Sequence, residues 1–226
     1  MKPTDTTMTK IANRRPIKTR ATWWAKSLAN QLIHLGLTPN TVSVMSIFAA
    51  LFGALCFLSM NLSSTSTFVL LCIAAAICIQ LRLLLNMLDG LMAVEGDQKS
   101  PTGILFNEIP DRIADILLLI AAGYACGSGI LGITLGWAAA IASVSTAYIR
   151  CLGGSLGQEQ DFSGPIAKPQ RMFLLTLACF GMIFEFFYES QPKFSLISIL
   201  IVITLGSFIT CWKRTQTIAR KLQNND

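Results

Sequence analysis

The stretch from Arg82 to Ile116, RLLLNMLDGLMAVEGDQKSPTGILFNEIPDRIADI, gathers oxygen-bearing side chains at helical spacing. At about 100° per residue, Asn86, Asp89 and Ala93 fall on one face at i, i+3 and i+7, with Arg82 one turn before Asn86. On the return, Asn107, Asp111 and Asp115 share a face at i, i+4 and i+8. Two antiparallel helices bearing these residues would bring their oxygens face to face, and oxygens are what hard divalent cations take as ligands. A capped helix hairpin with its acids in water would have the same composition. The spacing of the acids along two faces is what argues for a site.

The elements that position these residues belong to a membrane protein. Of 226 residues, 53% are apolar and only 13% charged, against roughly 25% charged in an ordinary soluble domain, and the mean hydropathy is +0.57. That excludes a cytosolic enzyme domain, a disordered chain and a disulfide-stapled secreted module. No Asp, Glu, Lys or Arg occurs over the 47 residues from Leu35 to Leu81 or the 34 from Ile116 to Ile149. At about 20 residues per span, each gap holds two spans, joined near Asn61 to Ser66 and near Gly127 to Gly129. Two more, near Gln170 to Tyr188 and Phe194 to Trp212, predict six transmembrane helices in an all-α, polytopic fold.

Of the 18 Lys and Arg residues, seven precede the first span (Lys2, Lys10, Arg14, Arg15, Lys18, Arg20, Lys26) and four follow the last (Lys213, Arg214, Arg220, Lys221). Arg82, Lys99, Arg112, Arg150, Lys168 and Arg171 lie at or near the loops on that same side, and only Lys193 lies on the other. Both termini and the polar cluster are therefore expected in the cytoplasm. Anionic headgroups account for the net charge of +6, with no nucleic acid implied. Residues 18–36 mix basic residues with Trp23, Trp24, Leu28, Leu32 and Ile33, which predicts an N-terminal interfacial amphipathic helix with the Trp pair as its anchor. The organisation expected is a basic segment at 1–36, a six-helix membrane domain at 37–214 and a polar tail at 215–226. No signal-peptide pattern opens the chain.

Asp89-Gly90-x-x-Ala93, followed after nine residues by Gly103 and eight further on by Asp111, resembles the signature of the CDP-alcohol phosphatidyltransferase family, D-x-x-D-G-x-x-A-R-x8-G-x3-D-x3-D. Three positions depart from it: Asn86 and Asn107 replace the first and third Asp, and Val94 replaces the Arg. The resemblance implies a membrane enzyme of about six spans that transfers a phosphatidyl group from CDP-diacylglycerol to an alcohol, releasing CMP, with Mg²⁺ or Mn²⁺. Diphosphate displacement needs charge neutralised on the leaving group, and metal held by hard oxygens supplies it.

By the same resemblance, Asp89 and Asp111 with Asn86 and Asn107 would hold metal, and Asp111 would be the general base for the incoming hydroxyl. Gly90, Ala93 and Gly103 would leave room for the CMP moiety. Arg82, on the face of Asn86 and Asp89, could contact diphosphate or pair with a carboxylate. Lys168 and Arg171, in the Gly164 to Arg171 segment that opens span five, would line the acceptor pocket, although positive-inside bias alone would also place them there. Partners are then the lipid bilayer, CDP-diacylglycerol and an alcohol, and the family pattern allows a homodimer. Four carboxylates carry a charge of −4, whereas Asp89 and Asp111 carry −2, with Glu108 nearby as one further acid; one tightly held divalent ion is expected. A divergent member that binds a CDP-lipid without turnover is the competing reading, and a transport pathway is disfavoured because the acids sit at one boundary.

Other features read as structural. Seven scattered Cys, with no CxxC pair, are expected to be buried apolar residues, and His34 has no partner at ligand spacing. Thr38-Pro39-Asn40-Thr41 suits a helix cap as well as the family's span-one start. Gly132 and Gly136 form a GxxxG that fits packing within the chain at least as well as dimerisation. Glu185 and Glu189 are expected as solvated residues at the outer boundary.

Overall fold

The computed structural model describes residues 22–62, 65–95, 101–188 and 194–224. Six of the N-terminal basic residues, together with Lys99, Glu189 and Lys193, lie outside these. The described residues form seven α-helices: α1 (Trp23–His34), α2 (Pro39–Ser59), α3 (Thr65–Glu95), α4 (Gly103–Ala125), α5 (Ile130–Ser155), α6 (Lys168–Phe186) and α7 (Phe194–Gln223).

Local chemistry explains the boundaries. Thr38 caps α2, its Oγ1 accepting from Thr41 N–H at 3.2 Å, with Pro39 at the first helical position. A 3-10 turn, Met60–Leu62, joins α2 to α3, and Gly127 and Gly129, at φ of 58° and 59°, turn the chain between α4 and α5. Glu185 on α6 accepts from Ser195 N–H at 2.6 Å and Ser195 Oγ at 2.7 Å. It therefore caps the start of α7 and is not the freely solvated residue its position suggested. The last helix runs unbroken through the 214/215 boundary to Gln223, so 215–223 continue α7.

Helices α2/α3, α4/α5 and α6/α7 are three consecutive hairpins, and the ring closes through α2 on α4, α3 on α6 and α5 on α7. Many of its inward residues are small, although Phe57, Leu118, Leu119, Met172 and Leu175 are also buried there. On α2 the small ones are Ser43, Ser46, Ala49, Ala50, Gly53 and Ala54, and on α5 Gly132, Gly136, Ala139, Ala140 and Ser143. Many large apolar side chains point outward, among them Phe48 and Phe52 on α2, Phe180 and Phe184 on α6, and Phe208 and Trp212 on α7. A water-soluble bundle arranges sizes the other way; lipid tails give no penalty for an exposed Phe, and small residues let helices approach.

By length and apolarity, four helices can cross a membrane: Pro39–Ser59, Ser66–Val94, Ile130–Ser155 and Phe194–Gln223. Six were expected. Two helices, α4 with Glu108, Asp111, Arg112 and Asp115, and α6 with Lys168, Arg171 and Glu185, miss that criterion because they carry the charges. In α1, Ala25 and Ala29 are buried and pack in a cluster with Leu85, Leu88 and Met92 of α3, leaving Trp23 81% exposed.

The GxxxG is consumed within the chain. A Cβ on Gly136 would stand 2.8 Å from Gly123 Cα and 2.9 Å from the Leu119 carbonyl, so α4 and α5 touch backbone to backbone there. Gly136→Leu is expected to force the two helices apart and destabilise the protein by about 1–3 kcal/mol or more. Thermal unfolding in detergent checks this, with the outward-facing Ile141→Leu as a control that should leave the transition unmoved.

Candidate active site

The predicted faces meet. Arg82, Asn86 and Asp89 of α3 lie against Asn107, Asp111 and Asp115 of α4, and the first turn of α6 adds Lys168 and Arg171. Asp89 is 3% exposed, Asp111 5% and Asp115 not at all. Asn86 Nδ2 donates to Asn107 Oδ1 at 3.4 Å across the two helices. The Lys168 ammonium donates to Asn86 Oδ1 and forms an ion pair with Asp111 Oδ2. Asp89 Oδ2 accepts from Ser43 Oγ of α2 at 2.5 Å. Gly90 and Ala93 are half-buried beside these groups, and a Cβ on Gly103 would meet nothing within 4 Å.

Beneath this layer lies a buried triad. The Asp115 carboxylate accepts from Arg82 Nη2 at 2.6 Å, Arg171 Nη2 at 2.9 Å and Ser143 Oγ at 3.0 Å. Arg82 also donates to the Asp111 carbonyl at 3.0 Å and lies 3.4 Å from Asp111 Oδ1. Arg171 reaches Thr146 Oγ1 at 3.3 Å. Both guanidiniums are thus sealed under the site, 0% and 1% exposed, and held by a carboxylate.

Glu108 does not add its charge to the cluster. Arg150 of α5 binds both its oxygens at 2.7 Å while also donating to Gln160 Oε1 at 2.7 Å and lying over the Phe162 ring, and Arg112 lies 3.5 Å away.

The segment before α6 is pinned to α7. Thr210 Oγ1 takes the Ile166 N–H at 3.2 Å, and Arg214 bonds the Ser163 carbonyl at 2.9 Å and the Thr146 carbonyl at 2.7 Å. Gly164 has φ of 122°, and a Cβ there would fall 2.4 Å from Thr210 Cγ2, so only Gly fits. Partial burial pushes the Asp161 carboxyl up, but hydrogen bonds from Ser163 and the charge of Arg214 outweigh it and hold Asp161 below the usual carboxylate range. This framework fixes where Lys168 starts α6.

Whether the residues fit a divalent cation turns on their oxygens. Among the described residues, no three or more His, Cys, Asp or Glu side chains come together as metal ligands. The donor set is two carboxylates and two amides. Within it Asp89 Oδ1 and Asp111 Oδ1 are buried and accept no hydrogen bond. Arg82 Nη2 stands 3.4 Å from Asp111 Oδ1 without a hydrogen bond to it, and buried carboxylate oxygens outside any hydrogen bond favour a cation, so the set fits one such ion.

Ser43, Ser143, Thr146, Arg150 and Arg214 were not singled out in the sequence. A Ser or Thr in an apolar helix has the same local pattern whether it faces lipid or a carboxylate. All seven Cys are free thiols, four of them buried.

No protein-family model matches the chain. It is similar to the phosphatidylinositol phosphate synthase of Mycobacterium marinum, 27% identical over 194 residues, which are 84% of this chain and 77% of that one. Two crystal structures of the Mycobacterium tuberculosis phosphatidylinositol phosphate synthase share its fold. The complex with manganese and citrate has a TM-score of 0.70 at 24% identity, covering 86% of this chain and 88% of the other. The CDP-DAG complex has the same TM-score and identity, covering 86% and 92%.

Proposed function

We propose that this chain is a member of the CDP-alcohol phosphatidyltransferase family that transfers a phosphatidyl group from CDP-diacylglycerol to an alcohol and releases CMP. The observation that carries the reading is the pair of buried carboxylates Asp89 and Asp111, from α3 and α4 at the family's spacing, each with one oxygen outside any hydrogen bond. Its support includes the similarity to a synthase of that kind and the fold shared with structures that hold manganese or CDP-DAG. In the same reading α4 and α6 also span the membrane, their charges shielded inside the ring, giving six spans with both termini and the site on the cytoplasmic side of the cell's inner membrane.

The chemistry follows from the residues. Asp89 and Asp111 would hold Mg²⁺ or Mn²⁺, with Asn86 and Asn107 at the rim, where their amide oxygens accept from Lys168 and from Asn86 Nδ2. When bound, the ion supplies charge neutralisation for the departing CMP. Asp111 accepts the proton of the acceptor hydroxyl as its oxygen attacks phosphorus. Ser43 fixes the rotamer of Asp89 by its hydrogen bond. Open space at Gly103, with small residues at Gly90 and Ala93, admits the nucleotide against the backbone. Arg82 sets the position of Asp111 directly from below, and Asp115, held by Arg171, fixes Arg82.

The test is direct. Purified protein in lipid nanodiscs, given CDP-diacylglycerol, Mn²⁺ and a panel of alcohols including phosphorylated polyols, should release CMP with at least one acceptor and form the matching lipid by mass spectrometry. No CMP with any acceptor, while the nucleotide still binds, would transfer support to the non-catalytic reading.

A further inference from the structure

Lys168 stands where charge counting leaves a gap. Two carboxylates facing each other at the Asn86 and Asn107 positions would repel unless a cation lay between them. Here the pair is two amides, and Asn86 Nδ2 closes it with a hydrogen bond to Asn107 Oδ1 at 3.4 Å. That bond turns Asn86 Oδ1 away from Asn107, where it accepts from the Lys168 ammonium, and the same ammonium pairs with Asp111 Oδ2. The lysine therefore takes one oxygen from each facing helix, as a bridging ion would. Asp89 Oδ1 and Asp111 Oδ1 are left without a hydrogen bond, with Arg82 Nη2 3.4 Å from the second.

The charges of the whole buried group then balance. Asp89, Asp111 and Asp115 contribute −3, while Arg82, Lys168 and Arg171 contribute +3; Arg112, 3.7 Å from Asp111 Oδ2, is shared with Glu108, which Arg150 also binds, and that outer group is left outside this sum. Gly164 and the Thr210 and Arg214 contacts hold the start of α6 in place, so the ammonium is delivered by a fixed backbone.

On the metal-dependent reading above, we propose that the Lys168 ammonium is a built-in cation that stands in for one divalent ion, leaving a single divalent site at Asp89 and Asp111. The two Asn residues and Lys168 are then one device: the amides remove two negative charges, and the lysine supplies a positive charge to the remaining pair. Lys168 also lowers the affinity for that single ion below what Asp89 and Asp111 alone would give, in place of the tight binding expected from counting carboxylates, and the diphosphate's own charge adds to its hold.

Mn²⁺ titration of purified, nucleotide-free protein, followed by electron paramagnetic resonance, tests this without turnover. Wild type should bind one Mn²⁺ per chain. Lys168→Met keeps the stem and removes the charge, and should bind that ion about tenfold tighter or more, because a unit positive charge a few ångströms away has been removed. Asn86→Asp with Asn107→Asp, Lys168 retained, should still bind one. Only the triple variant that adds Lys168→Met should bind two, with the spin-coupled spectrum of a close Mn²⁺ pair. Unchanged or weaker Mn²⁺ affinity in Lys168→Met would overturn the proposal, as would two ions in the variant that retains Lys168. Mn²⁺ binding to none of the four folded proteins would instead overturn the metal-site reading itself.

Discussion

Asp111→Asn should slow CMP release by about 10² to 10⁴-fold, the usual cost of removing a general base. The amide keeps the size of the carboxylate and one oxygen, so packing between α3 and α4 should persist and thermal unfolding should move little. What disappears is proton acceptance and half of the local negative charge. Asp111 differs from Asp89 in its surroundings: Asp89 Oδ2 is tied to Ser43, whereas Asp111 sits among Lys168, Arg82 and Arg112 at the meeting of three helices. An acceptor hydroxyl arriving there meets a carboxylate held by cations in a fixed orientation. Steady-state CMP assays beside nucleotide binding separate the roles. Retained binding with lost turnover supports the base; parallel loss of both makes Asp111 chiefly a metal ligand; wild-type turnover would refute either.

The second large effect concerns stability. Replacing Asp115 by Asn or Leu should destabilise the protein by about 3–5 kcal/mol, because two buried guanidiniums lose their shared carboxylate. Arg82 and Arg171 are fully enclosed, and Arg82 Nε, Arg82 Nη1 and Arg171 Nε already lack partners. Neither side chain can swing into water without unpacking the ring. Exchanging the whole triad for apolar residues of similar size, Arg82→Met, Asp115→Leu and Arg171→Met, should recover most of the loss, since no charge is then stranded. Turnover should not recover with it, because Asp111 loses the support of Arg82. Unfolding temperatures in detergent read the first effect and CMP assays the second. A stable Asp115→Asn single variant would show that water reaches the triad.

The parts of this molecule that were readable in the sequence are those governed by local period. Gaps in charge placed the joins near Asn61 and Gly127, and a period of 3.6 put Asn86 with Asp89 and Asn107 with Asp111 on facing sides. Pairing across the ring was not readable. Nothing near Lys168 indicates that its ammonium reaches α3 and α4, because that depends on where Thr210 and Arg214 pin a loop more than 40 residues earlier in the chain. Glu108 looked available beside Asp111, yet α5 brings Arg150 against it. The charges that keep α4 and α6 from being apolar enough to cross a membrane include those that form the site.

The order of helices around the ring differs from their order along the chain, with α6 seated between α3 and α7. During synthesis the first two hairpins emerge first, and they carry Arg82, Asp89, Asp111 and Asp115. The third hairpin must then enter beside α3, and it alone delivers Lys168 and Arg171. A nascent chain that stops after α5 thus carries the carboxylates but lacks two of the cations that neutralise them. Completion of the ring and completion of the site are one event, so a chain that stops after α5 would hold an excess of acid that only the third hairpin neutralises and encloses.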